Sequence, residues 1–303
     1  MERNEERRKL CKGAWNLLPE DERGIRNCLP LDNLKAELDL FCENLWDAHI
    51  GRIQVNPMKA ERFHVRKMMG PYIVEEGGTI LFGPPGGGKS TITYLIGQSL
   101  NSGSALVWPV RERMKPLLIN LERSEKDVES KLWGINRALG IDGSEFPLDT
   151  INARGASLKD VADVARKHVV EHGNDLVLLD SISRIGAGSL LKDDVANEAM
   201  DLLNGLCPTW LAIAHEAKGG SDPVTGEKRQ ATTFGSQMLR AACDLEVRLS
   251  SDGGYRRLIV DMQVTKKNIP LSELHETLYL EMDDRGLLYV SRPDDWSQFK
   301  KTG

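Results

Sequence analysis

The chain has 303 residues, 40% of them hydrophobic and 28% charged, which suits one large α/β domain with an appendage and excludes a disordered or fibrous protein. Its apolar runs are too short to span a membrane, and the charged N-terminus MERNEERRKL has no apolar stretch behind it, which argues against a secretory leader. The scattered cysteines lack CxxC spacing and read as reduced thiols of a cytosolic protein, and a formal net charge of −5 counts mildly against a wide nucleic-acid face without excluding a local basic loop.

Residues 1–60 differ in texture from the rest of the chain. Leu34, Leu38, Phe41 and Leu45 recur at helical spacing behind Asp32, a candidate N-cap, and predict an amphipathic helix over 32–48. A shorter helix is expected over 5–17. The stretch 51–69, with Arg52, Lys59, Arg62, Arg66 and Lys67, reads as a connector. The region is expected to be a small helical cap, with an oligomerisation or partner module as the alternative. From Tyr72 onward, apolar runs alternate with helical patterns, as in βαβ units around a mostly parallel sheet. Buried strands are expected at 79–82, 117–121, 176–179 and 211–214, and helices at 89–100, 125–139, 158–172 and 194–206. Further strands are expected at 245–249, 257–265, 278–281 and 287–290, the last two joined by a turn at Asp283-Asp284-Arg285-Gly286. The α/β domain should then cover 61–291, leaving 292–303 as a frayed tail.

The strongest signal is Gly83-Pro84-Pro85-Gly86-Gly87-Gly88-Lys89-Ser90, a GxxxxGK[ST] phosphate loop between an apolar strand and a helical pattern. Glycines let successive N–H groups turn inward around a phosphate, and the following helix aims its partial positive charge at the same anion. Lys89 is placed to reach the β- and γ-phosphates, the Ser90 hydroxyl to ligate Mg²⁺, and Thr91 to complete the loop. Asp180 ends the apolar run Leu-Val-Leu-Leu and is the expected second support for Mg²⁺. Glu122 ends another run and, on the strand taken to be next to the phosphate-loop strand, is the candidate to activate water, with Arg123 beside it. A solvent-facing Glu opening a helix is the plain alternative.

Together these residues, with a further strand ending in Ala214-His215, resemble the RecA-like core of recombinases and ring helicases. Three features resemble RepA-type hexameric helicases and their phage relatives more closely: a hairpin-like insert over 106–116, the run Ala214-His215-Glu216-Ala217-Lys218-Gly219, and Thr233-Phe234-Gly235-Ser236. The resemblance spans residues 62–290. It implies a RecA-like P-loop NTPase fold that uses ATP and Mg²⁺ in a homo-oligomer (a ring, as a hexamer, or a filament) with ATP at subunit interfaces. It implies that His215 is the polar sensor of the γ-phosphate. It also implies that residues 219–237 form a channel loop on single-stranded DNA, with Lys218, Lys228 and Arg229 on phosphates and Phe234 stacking on a base or anchoring the loop. Val264-Thr265-Lys266-Lys267-Asn268 resembles the motif that reaches the neighbouring subunit's nucleotide, so Lys266 or Lys267 is the implied trans-acting group, with Arg240 and Arg248 as rivals. The implied function is a DNA-dependent motor, a RepA-like replicative helicase first. A phage recombination or annealing ATPase, or a RecA-like switch acting on a protein partner, is the alternative.

Overall fold

A computed structural model describes residues 31–50, 66–185, 189–217, 232–254, 256–271 and 275–293, together with Lys9 and Lys12. The chain divides into two units, Met1–Phe63 and His64–Gly303. The helix expected over 5–17 lies outside the described residues apart from Lys9 and Lys12, which are helical. Also outside them are the connector before Arg66 and the tail beyond Pro293.

In the first unit, α1 spans Leu31–Ile50, containing the amphipathic segment expected from the sequence. Phe41 and Leu45 of its apolar stripe are exposed. No helix among the described residues is long and apolar enough to cross a membrane.

The second unit is a sheet covered by helices on both faces. In chain order its elements are β1 (Lys67–Met69), β2 (Ile73–Val74), β3 (Gly78–Gly83), α2 (Lys89–Ser102), β4 (Pro116–Asn120), α3 (Glu125–Leu139) and β5 (Asp149–Asn152). Next come α4 (Leu158–His172), β6 (Leu176–Asp180), a 3₁₀ turn (Ile182–Arg184), α5 (Asp193–Leu206), β7 (Trp210–His215) and α6 (Gln237–Ala242). The chain then finishes the sheet with β8 (Leu245–Gly254), β9 (Arg257–Lys267), β10 (His275–Asp283) and β11 (Gly286–Ser291). Across the sheet the order is β11-β10-β9-β8-β3-β7-β6-β4-β5. Strands β8, β3, β7, β6, β4 and β5 run parallel, and β9, β10 and β11 add an antiparallel wing.

Sequence explains the layering. Along β3, Leu81 packs into one core with α2 and α3, whereas Ile80 and Phe82 enter a second core with α4 and α5. Strands buried on both faces are continuous apolar runs, which is how β3, β4, β6 and β7 read. Helices α3 and α4 begin on Ser124 and Ser157, whose hydroxyls accept from Asp127 and Asp160 N–H groups, and end on Gly140 and Gly173 in left-handed conformation.

Three features differ from the sequence reading. Residues 103–115 form no hairpin: their only bridge is Met69 to Val110. Instead, the Trp108 indole is buried against Tyr72 with ring centroids 5.3 Å apart, and its Nε1 donates to Glu276 at 2.8 Å. Burying the indole pulls the segment onto the core, and Pro109 has no N–H to give a ladder. Strand β4 follows β3 in sequence but not in space, because β7 and β6 stand between them. The polar strand β5 also lacks an apolar run to announce it.

Candidate nucleotide site

The phosphate loop joins the C-terminal end of β3 to α2. Gly83 is a close-approach position: a Cβ there would lie 2.1 Å from the Leu249 carbonyl oxygen of β8. Gly88 caps α2 with φ 83°, a conformation side chains resist, and a Cβ would meet Leu258 at 3.2 Å. No side chain caps α2, and its first turn holds no acidic residue, so the leading N–H groups remain open toward the loop. Lys89 folds back, its Nζ donating to Gly83 O at 2.8 Å and Pro84 O at 2.7 Å. Burial lowers the Lys89 pKa, against the opposing pull of Glu122 and Asp180.

A cavity of about 240 Å³ opens over this loop. Lys89, Ser90 and Thr91 line it, together with Glu122, Arg123, Asp180 and His215. Thus residues from the ends of β3, β4, β6 and β7 converge at one edge of the sheet, the usual place for ligands in open α/β folds. Asp180 is 1% exposed and accepts from the Tyr94 hydroxyl at 2.8 Å. Burial, then the Asp180 charge, raises the Tyr94 pKa, so its hydroxyl stays a donor. Arg123 Nε donates to Ser90 Oγ at 3.1 Å and lies 3.6 Å from Asp180 Oδ2. Glu122 Oε1 is 3.8 Å from His215 Nε2.

The turn carrying Glu122 and Arg123 is set by Asn120, fully buried at the end of β4. Its Oδ1 accepts from Arg123 N at 2.9 Å and its Nδ2 donates to Arg123 O at 2.8 Å and Asn152 Oδ1 at 3.0 Å. Leu121 N donates to Asp180 O at 2.8 Å, tying this turn to the neighbouring β6. The two strands intervening between β3 and β4 therefore leave Glu122 facing the loop. Ser90 Oγ and Asp180 Oδ2, a hydroxyl and a buried carboxylate drawn together by one cationic side chain, are oxygen donors of the kind a hard divalent cation takes. With a diphosphate or triphosphate in the loop, these two residues would hold Mg²⁺.

The antiparallel wing adds an apolar wall of Leu258, Leu280 and Met282, and α3 adds Lys131. Sequence reasoning missed this apolar wall, as it missed Tyr94 and Asn120. A polar residue ending an apolar strand was a usable hint for Asn120; the wing residues look like ordinary core.

The remaining candidates lie elsewhere. Phe234 is half-exposed, and its N–H donates to the His215 carbonyl at 2.8 Å. Ala217 N donates to Thr232 O at 2.9 Å, so the chain on either side of residues 218–231 is paired at the end of β7. Thr233 reinforces that pairing through the buried carboxylate of Glu246, which also accepts from Thr265 and pairs with Arg240 at 3.0 Å. Lys218, Lys228 and Arg229 lie outside the described residues. Lys266 Nζ donates to the carbonyls of Arg240, Ala241 and Cys243 at the end of α6, and Lys267 Nζ to Leu271 O at 2.8 Å. Arg248 is paired with Glu216 at 2.9 Å. Register puts Lys267 opposite Leu245, itself level with Thr79 near the start of β3, so both lysines sit at the far end of the sheet from their own phosphate loop.

A phosphate loop at the edge of a parallel sheet, with carboxylates from two further strand ends beside it, defines a P-loop nucleotide hydrolase. The family model for an AAA domain matches residues 48–221, more than half the chain, and the chain belongs to that family: it is a P-loop ATPase. The match takes in the loop, Glu122, Asp180 and His215. No curated protein matches the sequence significantly.

Proposed function

We propose that this ATPase is an oligomeric motor on single-stranded DNA, working as a RepA-type replicative helicase. The observation that carries the reading is the continuity between His215 and the chain flanking residues 218–231. His215 lines the phosphate cavity and its own carbonyl holds Phe234. A change felt at the γ-phosphate would move the base of that segment without any intermediary. On this reading Lys218, Lys228 and Arg229 meet DNA phosphates and Phe234 meets bases.

The chemistry assigned to each residue stems from its place. Lys89 exchanges the Gly83 and Pro84 carbonyls for phosphate oxygens, and the open N-terminus of α2 stabilises the same negative charge. Glu122 orients the attacking water and accepts its proton, and His215, beside it, senses the leaving phosphate. Bound at Ser90 and Asp180, Mg²⁺ would neutralise charge developing on the β- and γ-oxygens. The wing residues Leu258, Leu280 and Met282 offer an apolar surface for the base. In trans, Lys267 is the better placed lysine, since it gives up one carbonyl whereas Lys266 would uncap α6.

The deciding experiment is steady-state ATP hydrolysis with and without single-stranded DNA across a salt series, with Lys89→Ala as the inactive control. Strong stimulation that fades with salt supports the motor. Hydrolysis indifferent to DNA removes it and leaves an ATPase switch directed at a protein partner.

A further inference from the structure

We infer that Arg123 competes with the divalent cation for its site, so that the metal enters together with nucleotide and poorly without it. This rests on the reading of Ser90 and Asp180 as the metal's protein ligands. The guanidinium of Arg123 is held by those same two oxygens, 3.1 Å from Ser90 Oγ and 3.6 Å from Asp180 Oδ2. Both partners are buried, Ser90 at 6% and Asp180 at 1% exposure, so the guanidinium offsets a carboxylate charge that water reaches poorly. The arginine itself reaches in from solvent, with 39% of its side chain exposed, so the way out to solvent is open.

The backbone makes this position fixed rather than incidental. Asn120 clamps both the N–H and the carbonyl of Arg123, so the side chain starts from one place relative to Ser90 and Asp180. A third oxygen partner is engaged at the same time. Asp127, in the first turn of α3, lies 3.4 Å from Arg123 Nη1 and keeps Lys131 as its other partner. A guanidinium displaced from Ser90 and Asp180 therefore remains close to a carboxylate.

A bare dication arriving at the site must expel a cation from two buried oxygens and gains little besides. When it arrives on a nucleotide, the phosphates supply further oxygens to the metal and negative charge for the displaced arginine. Binding of metal and nucleotide is thereby coupled through one side chain, and each raises the affinity of the other by the same factor. Nothing in GxxxxGK[ST] or in the acidic strand end requires an arginine here, so the coupling belongs to this chain's own residues.

Mn²⁺ serves as the probe, titrated into the full-length protein while the free ion is followed by its electron paramagnetic resonance signal. Without nucleotide, Arg123→Gln should bind Mn²⁺ on the order of tenfold more tightly than the parent, the effect of removing one charge-assisted competitor. With ADP present, the two proteins should differ far less, and Asp180→Asn in the Arg123→Gln background should abolish the gain. Arg123→Ala is a second variant in case the first folds poorly, since the exposed side chain leaves no cavity; melting curves verify both. Equal Mn²⁺ affinity of parent and variants without ADP, with ADP-dependent binding intact in all, overturns the competition while sparing the ligand assignment. Absence of ADP-dependent Mn²⁺ binding at Ser90 and Asp180 in every protein overturns both.

Discussion

Replacing Tyr94 by Phe removes one oxygen from the interior and nothing else. Tyr94 is fully buried in α2, and its hydroxyl gives Asp180 its one short side-chain hydrogen bond, 2.8 Å; Arg123 stands at 3.6 Å. Phenylalanine has the same shape, so no void opens, and the cost is that of leaving a buried carboxylate short of a donor. A hydrogen bond to a charged group contributes roughly 1.5–3 kcal/mol. For a domain of this size each ~1 kcal/mol moves the melting temperature by about 2–4 °C, so a loss of about 2 kcal/mol lowers it by about 4–8 °C. Calorimetric or circular-dichroism melting of the nucleotide-free protein measures this. Because burial and the Asp180 charge both keep the Tyr94 hydroxyl protonated, the loss should be the same throughout the neutral pH range. Adding Mg²⁺ and ADP should shrink it, as a cation at Asp180 takes over the missing compensation. An unchanged melting temperature would refute the argument that Tyr94 supports Asp180.

Glu122→Gln should retain nucleotide yet slow turnover by about 10²–10⁴-fold in single-turnover assays, the range for loss of a general base; turnover at the parent rate would place the base elsewhere. Gly83→Ala forces β3 away from the Leu249 carbonyl and should cost roughly 1–3 kcal/mol in urea denaturation, with loss of nucleotide binding. Asp283 accepts from Arg137 Nη1 and Nη2 at 3.0 and 2.8 Å, and chiefly this hydrogen bonding holds its pKa below 3.8. Since the folded-state pKa is the depressed one, the stabilisation is complete above 3.8 and disappears as the pH falls through the lower value. Asp283→Asn should therefore lower the urea midpoint near neutrality and show a shallower decline in acid than the parent.

How much of this was legible depended on how local each feature is in sequence. The phosphate loop is eight consecutive residues, Gly83 to Ser90, and needs no partner to be recognised. Helices α3 and α4 begin and end where the sequence reading put them, because Ser124, Ser157, Gly140 and Gly173 act on their own backbones. Strand β5 escaped because Asp149-Thr150-Ile151-Asn152 is an edge strand whose polar side chains find partners in Asn174, the Leu148 carbonyl and Asn120 of β4. The apolar wall of Leu258, Leu280 and Met282 escaped for another reason: two separate strands supply it, and each residue alone is indistinguishable from core. Tyr94 and Arg123 were visible as residues, but the direction of a hydroxyl or a guanidinium is a property of the fold.

The pairing of Ala217 with Thr232 and of His215 with Phe234 has a consequence for how such a protein diversifies. Among the described residues, these two backbone bonds close the stems, and Thr233 fastens them to Glu246. Backbone groups make both bonds, so the side chains of Ala217, Thr232 and Phe234 can change without opening the stems. A lineage can therefore vary the surface of these stems while inheriting the strand ends of the ATPase site unchanged.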